Sequence, residues 1–514
     1  MTKTLKGESR DWLSPLFCWL YAAMLLWVLG LLTLGQRAME GYYAHGFCVE
    51  NWALLLAAAG LTGLWVWRLR VRSAKLPQPA SSVRMSWARA ALYLALFAVQ
   101  CLMARCLWFY FAFDPSAVRQ GAEALALGQP LSEEWLVYFR QCPNNAPLTV
   151  ILSLVYRLGK KLGLAEPYVL EVYGAALLTN LSVATAMAVL RRLKVRPSVR
   201  RVGFGLAAVW LLFSPFIIMP YTDTYACLFP VLGLLILLTG WKAPVRYGLA
   251  ALCCSLGGAV KPSAYILLIA ALLLGTIRFL FRKKNAALWK RGLCVLAAVI
   301  VGVLPGMALE KGSVKLLTGS TAPEEALGSA HYLMIGLDDQ YWGGHSAEGV
   351  TYSGSFATAK ERTRANLARA LEEVQNRTLG ENLHFFSVKA YKAYADGTFA
   401  FNSYLVEEPV RRSDRLSLFL RKIFYREGAW NPAYRAVMQG LWLMVLLGCL
   451  AAVLLWRREY AVQLCALSLL GLTAYQLLFE VWPRYLFLYA PVFLVLALLG
   501  VEKLGQRREK QSSP

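Results

Sequence analysis

Residues 105–147 read RCLWFYFAFDPSAVRQGAEALALGQPLSEEWLVYFRQCPNNAP, and the order of apolar, acidic and amphipathic pieces in them decides how the chain is organised. An aromatic run climbs out of a membrane and stops at Asp114-Pro115, where a carboxylate meets water and proline breaks the helical register. Val118, Ala122, Leu125 and Ala126 then form one apolar strip within residues 117–127, and Trp135, Leu136 and Tyr138 form a second patch. Such segments suit a membrane interface better than bulk water. Pro143-Asn144-Asn145-Ala146-Pro147 reads as a helix start, with Asn145 as N-cap and Pro147 in the first turn.

Composition agrees with that reading. The chain has 514 residues, 58% hydrophobic and 16% charged, with a mean hydropathy of +0.47, which places it among polytopic membrane proteins. The formal net charge of +24 does not indicate a nucleic-acid partner, because Lys and Arg fall in short clusters between apolar runs, where orientation signals belong. Most of the 11 cysteines lie inside apolar runs as small buried side chains; Cys48 and Cys142 alone fall in loops read as outer, which leaves a bridge between them open.

The first run, residues 12–34, follows Lys3, Lys6 and Arg10 and is too long for a cleaved signal core, so the N-terminus stays cytoplasmic. Residues 52–67 return to Arg68, Arg70, Arg72, Lys75, Arg84 and Arg89, a cluster without an acid, and residues 90–113 exit to place Asp114 outside. Residues 147–163 carry Arg157, Lys160 and Lys161 and lie along the outer surface as a juxtamembrane helix, after which residues 168–190 return to the basic positions from Arg191 to Arg201. Runs at 202–220 and 225–240, two short spans within 247–281 folded about Lys261-Pro262, and a run at 292–309 ending at Glu310 follow. The basic positions Arg282, Lys283 and Lys284 mark the inside again, as Arg507, Arg508 and Lys510 do after the last spans at 434–456, 460–480 and 485–501. The expected fold is therefore all-α and polytopic, with about twelve transmembrane helices and both termini cytoplasmic.

Four parts result: residues 1–89 with two spans and a basic loop, a transmembrane core at 90–310 with a first outer loop at 114–167, a small, mainly helical extracytoplasmic region at 311–432, and C-terminal spans and tail at 433–514. In the polar region, residues 358–374 read as an amphipathic helix with Leu367, Leu371 and Val374 on its apolar side. Asn376-Arg377-Thr378 matches a glycosylation acceptor pattern that has meaning only in a eukaryotic secretory setting. Asp338-Asp339 reads as a solvated loop first and an acceptor-binding element second, and His331, His345 and His384 as packing or solvent-facing residues.

This topology brings Asp114, Asp223, Glu310 and Glu480 to the outer waterline, with Lys261, Arg140 and Arg484 at the same level. Arg105, about two turns inside a span, reaches that level by snorkelling. Each residue taken alone is also what any chain end at an interface carries; the ring of opposite charges is what points to chemistry. A lipid-linked sugar phosphate presents its anomeric carbon at this depth. Its phosphate leaves as a stable anion, so the reaction needs a base for the acceptor hydroxyl and positive charge near the phosphate. Asp114 is the expected base with Asp223 as a second catalytic carboxylate; Lys261, Arg105 and Arg484 are expected on the donor phosphate, and Arg140, Asn144, Asn145, Tyr221, Glu310 and Glu480 on substrate. No cofactor is required. A divalent metal is compatible with such a site, but four histidines and no outer acidic pair of ligand spacing do not indicate one.

Several short motifs together resemble the GT-C superfamily of integral-membrane glycosyltransferases, and most of all bacterial members similar to glycosyltransferase family 39, the relatives of dolichyl-phosphate-mannose protein mannosyltransferases. They are Phe113-Asp114-Pro115, Cys142-Pro143-Asn144-Asn145, Tyr221-Thr222-Asp223-Thr224, Val260-Lys261-Pro262, Ala395-Asp396-Gly397-Thr398-Phe399 and Arg484-Tyr485, and they run from about residue 90 to the end. The resemblance implies inverting transfer from a polyprenyl-phosphate sugar to a glycan, lipid or protein acceptor on the extracytoplasmic face of the cell membrane. It implies Asp114 as base and Lys261, with Arg484, on the donor phosphate. Eukaryotic relatives carry Asp-Glu and His-Pro-Pro where this chain has Asp114-Pro115 and Asn144-Asn145-Ala146, so the resemblance alone assigns neither a mannose donor nor a protein acceptor. The alternatives from other classes are a transporter or flippase of lipid-linked glycans and a glycan polymerase or ligase.

Overall fold

Proline opens many of the long helices, and the reason is local: in the first turn its missing N–H has no partner to lose and its φ is already helical. Pro15, Pro115, Pro147, Pro197, Pro244 and Pro432 all stand at such positions. The computed structural model describes residues 13–43, 49–72, 87–281, 286–404 and 412–506. Cys48, Lys75, Arg84, and the basic positions expected at both termini and at 282–284 lie outside the described residues.

Every regular element among the described residues is helical. The first half comprises α1 (Ser14–Thr33), α2 (Asn51–Arg72), α3 (Trp87–Leu107), α4 (Asp114–Leu127), α5 (Glu133–Gln141), α6 (Ala146–Lys161), α7 (Tyr168–Arg192), α8 (Pro197–Ala207), α9 (Leu228–Leu237), α10 (Ala243–Val260), α11 (Tyr265–Leu280) and α12 (Ala286–Thr318). There follow α13 (Gly328–Leu337), α14 (Ala347–Gly354), α15 (Ala359–Asn376), α16 (Leu379–Tyr394), α17 (Asn431–Leu455), α18 (Tyr460–Leu478) and α19 (Ala490–Gly505). Ten helices among the described residues are long and apolar enough to cross a bilayer, which makes the chain an all-α, multi-pass integral membrane protein.

The two remaining stretches that the sequence counts as spans do not form one long helix each. One breaks from α8 into a π turn at Ala208–Leu212 and a 3₁₀ turn at Pro215–Ile218, because Pro215 and Pro220 remove donors within a few residues. The other, Thr222–Leu237, is apolar but short. α12 runs on to Thr318, so Glu310 lies within a helix, not at its end. α10 and α12 approach most closely where Gly302 and Gly306 face them: a Cβ at either would stand 2.3 Å from a backbone oxygen of α10, at Gly248 or Ser255. This is a small-xxx-small seam, and Ser255 Oγ bonds Gly302 O across it at 3.0 Å.

The centre of the bundle is α19, fully surrounded, with Trp210, Trp442, Tyr394 and Phe399 stacked beside it. The Asp396 turn, expected in the polar region, is part of this core. Asp396 is buried, accepts from Thr398 N and Oγ1 at 2.7 Å each and from Tyr43 Oη at 3.0 Å, and Gly397 O takes the Trp210 indole N–H. Both Asp396 carboxylate oxygens are thus spent on tying the chain together.

The polar region packs around Met334, Ile335, Leu337, Ala370 and Phe385. α15 starts where expected, with Thr358 and Glu361 forming a reciprocal cap. Its buried side is only in part the one the sequence suggests: Val374 packs against this core, but Leu367 and Leu371 are exposed, while Arg362, Asn366 and Ala370 face inward. The reason is a set of carbonyls, from Ser353 in the last turn of α14 and from Glu324, Ala326 and Phe356 in loops, that engage the Arg362 guanidinium with four hydrogen bonds. Asp338 and Asp339 form ion pairs with Arg369 and Arg377, so this acidic pair is structural. Thr378 caps α16.

His331 on α13 is buried and bonds Ser353 Oγ at 2.8 Å, which in turn donates to Asn366. Burial pushes the imidazole down to about 4, so its neutral form stabilises the fold fully above its unfolded value near 6.5, and that stability drains away as the pH falls towards 4. Thermal unfolding is expected to show the wild type losing on the order of 2 kcal/mol at pH 5 relative to pH 7.5 beyond any loss in His331→Gln. Parallel curves for the two proteins would contradict this.

Candidate functional site

α3 ends at Leu107, not at Asp114. The aromatic residues from Trp108 to Phe113 run on as non-helical chain, burying Phe109 and Phe111. Phe113 stands at φ +53°, a conformation disfavoured for any residue with a Cβ, and its turn sets Asp114 as the first residue of α4. α4 then buries Val118, Gly121 and Ala122, part of the expected strip, with Gly121 against Phe139 and Thr149.

The Asp114 carboxylate, half-buried, is gripped by two phenols. Tyr138 Oη on α5 donates to Oδ1 at 2.7 Å and Tyr221 Oη donates to Oδ2 at 3.0 Å. Asn145 joins them: its Nδ2 donates to Tyr138 Oη at 2.6 Å, and its Oδ1 lies 3.1 Å from Tyr221 Oη. Asn145 occupies the position before α6, yet makes no side-chain cap, because its amide is used on the tyrosines. Tyr221 has one hydroxyl proton and two acceptors in reach; the carboxylate holds it by charge, and the amide oxygen can take it once the carboxylate is protonated. Burial, and then their acidic and phenolic neighbours, push both phenols well above their usual range, so they remain neutral donors.

The cations converge on the other face of Tyr221. Lys261 stands at the break between α10 and α11, where Pro262 forbids a continuous helix, and pairs with the fully buried Asp223. Arg484 opens the 3₁₀ segment Pro483–Tyr489 and places Nε 3.9 Å from Asp223 Oδ2, too far to bond. Its Nε and Nη1 are buried without a hydrogen-bond partner, as is Asp223 Oδ2. The guanidinium lies 5.3 Å from the Tyr221 ring centroid and 5.7 Å from that of Phe113, while Tyr485 carries Lys261 at 4.3 Å and Arg484 at 5.4 Å. Two cations thus share one carboxylate, and donor groups remain unspent.

Among the expected site residues, Asp114, Asn145, Tyr221, Asp223, Lys261 and Arg484 meet in this one cluster. Glu480, half-buried, lies within electrostatic reach of Lys261 and of Lys389 and Lys392 on α16. Asp223 is committed to Lys261, so it is not a free base. Arg105 falls in the last turn of α3, exposed and near Tyr173, because the helix ends sooner than its apolar run. Arg140 pairs with Glu325 on the surface at 3.5 Å. Glu310 is exposed on the flank of α12 beside Lys311, and Asn144, half-buried, takes no part in the hydrogen bonds of the tyrosine cluster. Cys142 is a free thiol hydrogen-bonded with Tyr332. The residues that sequence reasoning leaves out are Tyr138 as a carboxylate donor, Tyr404, which stands beside Arg484 and accepts from the Trp482 indole at 3.0 Å, and the two α16 lysines. Lys389 Nζ bonds Gly336 O and Phe479 O, and Lys392 Nζ bonds Tyr341 O and Trp342 O, fastening α16 to α13, to the loop after it and to the end of α18. Among the described residues no group of three or more His, Cys, Asp or Glu side chains is arranged to hold a metal.

No curated protein and no solved structure matches the chain. One family model does, over residues 8–504, nearly the whole length. The chain thus belongs to the family described as conserved hypothetical integral membrane proteins.

Proposed function

We propose that this protein is an inverting membrane glycosyltransferase that moves a sugar from a polyprenyl-phosphate donor to an acceptor hydroxyl on the extracytoplasmic face. Tyr221 carries the reading: its hydroxyl holds Asp114 while its ring lies under the buried, unspent guanidinium of Arg484. A base and an anion seat are therefore one side chain apart, the separation that a sugar bonded to a phosphate spans. The acceptor oxygen attacks the anomeric carbon, the bond from that carbon to the phosphate oxygen breaks, and the polyprenyl phosphate leaves with both electrons. Asp114 takes the acceptor proton, and one displacement inverts the anomeric centre. The clustering of Lys and Arg at the loops on the other side supports the extracytoplasmic placement.

The purified protein in liposomes, given a panel of polyprenyl-phosphate sugars and simple glycan or lipid acceptors, is expected to release polyprenyl phosphate from at least one donor. Folded protein that translocates a donor across the bilayer while releasing none would replace the transferase reading with a flippase.

A further inference from the structure

Two further arginines with unspent donors, Arg191 and Arg200, lie at the opposite end of the bundle. α7 begins at Tyr168, whose ring is 5.6 Å from Trp108 and 5.1 Å from Tyr110 on the approach to Asp114. Arg191 stands at its far end, roughly 35 Å away at 1.5 Å per residue, about the thickness of a bilayer core from Tyr168. α3 lies along α7, with Asn180 bonding Gln100 Oε1 at 2.9 Å and Tyr93 O at 3.3 Å, so the first turns of α3 reach the Arg191 end. There the Tyr93 ring meets Phe204 of α8 at 5.5 Å, which draws in Arg200.

Arg89, Arg191 and Arg200 come from three different helices to this one place. Arg191 is 8% exposed, and its Nε and that of Arg200 are both buried without a hydrogen-bond partner. Among the described residues the charges that act on Arg200 are those of Arg191 and Arg89, and Arg191 feels Arg89 and the phenol of Tyr93, with no carboxylate among them. The neighbouring Arg196 shows the contrast, since it is half-buried and fully answered by Glu502 at 2.9 Å. Arg192 is exposed and bonds Leu238 O. Grouped guanidinia without an acid are costly in a low-dielectric setting unless an anion completes them, and their planar forks match phosphate oxygens.

We infer that Arg191 and Arg200, with the charge of Arg89, form a binding site for a phosphate-bearing anion at the end of the bundle remote from Asp114. Two sources share that chemistry: the headgroup of an anionic phospholipid in the adjoining leaflet, and a soluble phosphate. The site is independent of sugar transfer.

Thermal unfolding of the full-length protein in phosphatidylcholine nanodiscs tests it, with phosphatidylglycerol added to the discs in one arm and inorganic phosphate against matched chloride in the other. The wild-type midpoint is expected to rise in at least one arm, the responding arm identifying the source. Arg200→Gln, at a half-exposed position, and Arg191→Gln are each expected to lose at least half of that rise. Equal rises in wild type and in a folded Arg200→Gln protein, or no rise in either arm, would overturn the site.

Discussion

Asp114→Asn is expected to lose sugar transfer by about a thousandfold, within the range that removing a positioned general base ordinarily costs, while the protein stays folded and inserted. Asparagine has the same shape and keeps an oxygen to accept from Tyr138 or Tyr221, so the grip on α4 survives. What disappears is the group that takes the acceptor proton. Tyr221→Phe is the graded comparison: it removes one of the two donors that orient the carboxylate, and a loss of about tenfold is appropriate for a positioning contact near 1.4 kcal/mol. Donor turnover by the purified variants, with a monodisperse elution profile as the folding control, measures both. Turnover by Asp114→Asn within tenfold of wild type would remove Asp114 from the role of base.

Much of the fold is legible from residue order because the membrane imposes a length rule. The apolar runs that became α1, α7, α17 and α18 need only be long enough, and the Lys261-Pro262 fold between two short spans is announced by a charge and a proline side by side. The aromatic ramp after Leu107 is different. Its residues are as apolar as a helix's, and the departure is set by where Phe109 and Phe111 find buried partners, among them Phe401 and Tyr404, far along the chain. That misplaced end also misplaced Arg105. The face of α15 was hidden for a similar reason: an arginine reads as solvent-facing until distant loop carbonyls supply its hydrogen bonds. Within the site, charges at span ends marked Asp114, Lys261 and Arg484, whereas Tyr138 carries no such mark. A tyrosine in an amphipathic helix looks like interface packing, and only the folded chain turns its hydroxyl to a carboxylate.

Arg484→Gln is expected to raise the Michaelis constant for the lipid donor by roughly ten- to a hundredfold, the worth of a charge-assisted contact to phosphate, with little change in the acceptor constant. The same substitution is expected to leave stability unchanged or improve it, because it removes a buried guanidinium whose Nε and Nη1 have no partner in the protein. Lys261→Ala makes the contrast. It strips the fully buried Asp223 of its ion-pair partner, leaving Arg484 at 3.9 Å as the nearest cation, and is expected to destabilise the fold by several kcal/mol as well as weaken the donor. Arg484→Lys separates charge from geometry: an ammonium restores the charge but lacks the planar fork, so partial recovery of donor affinity is expected. A cation that serves the fold loses stability when removed, and one that serves a ligand loses affinity. If Arg484→Gln unfolds as readily as Lys261→Ala and binds donor as the wild type does, Arg484 belongs to the scaffold, and the seat for the phosphate must be sought elsewhere.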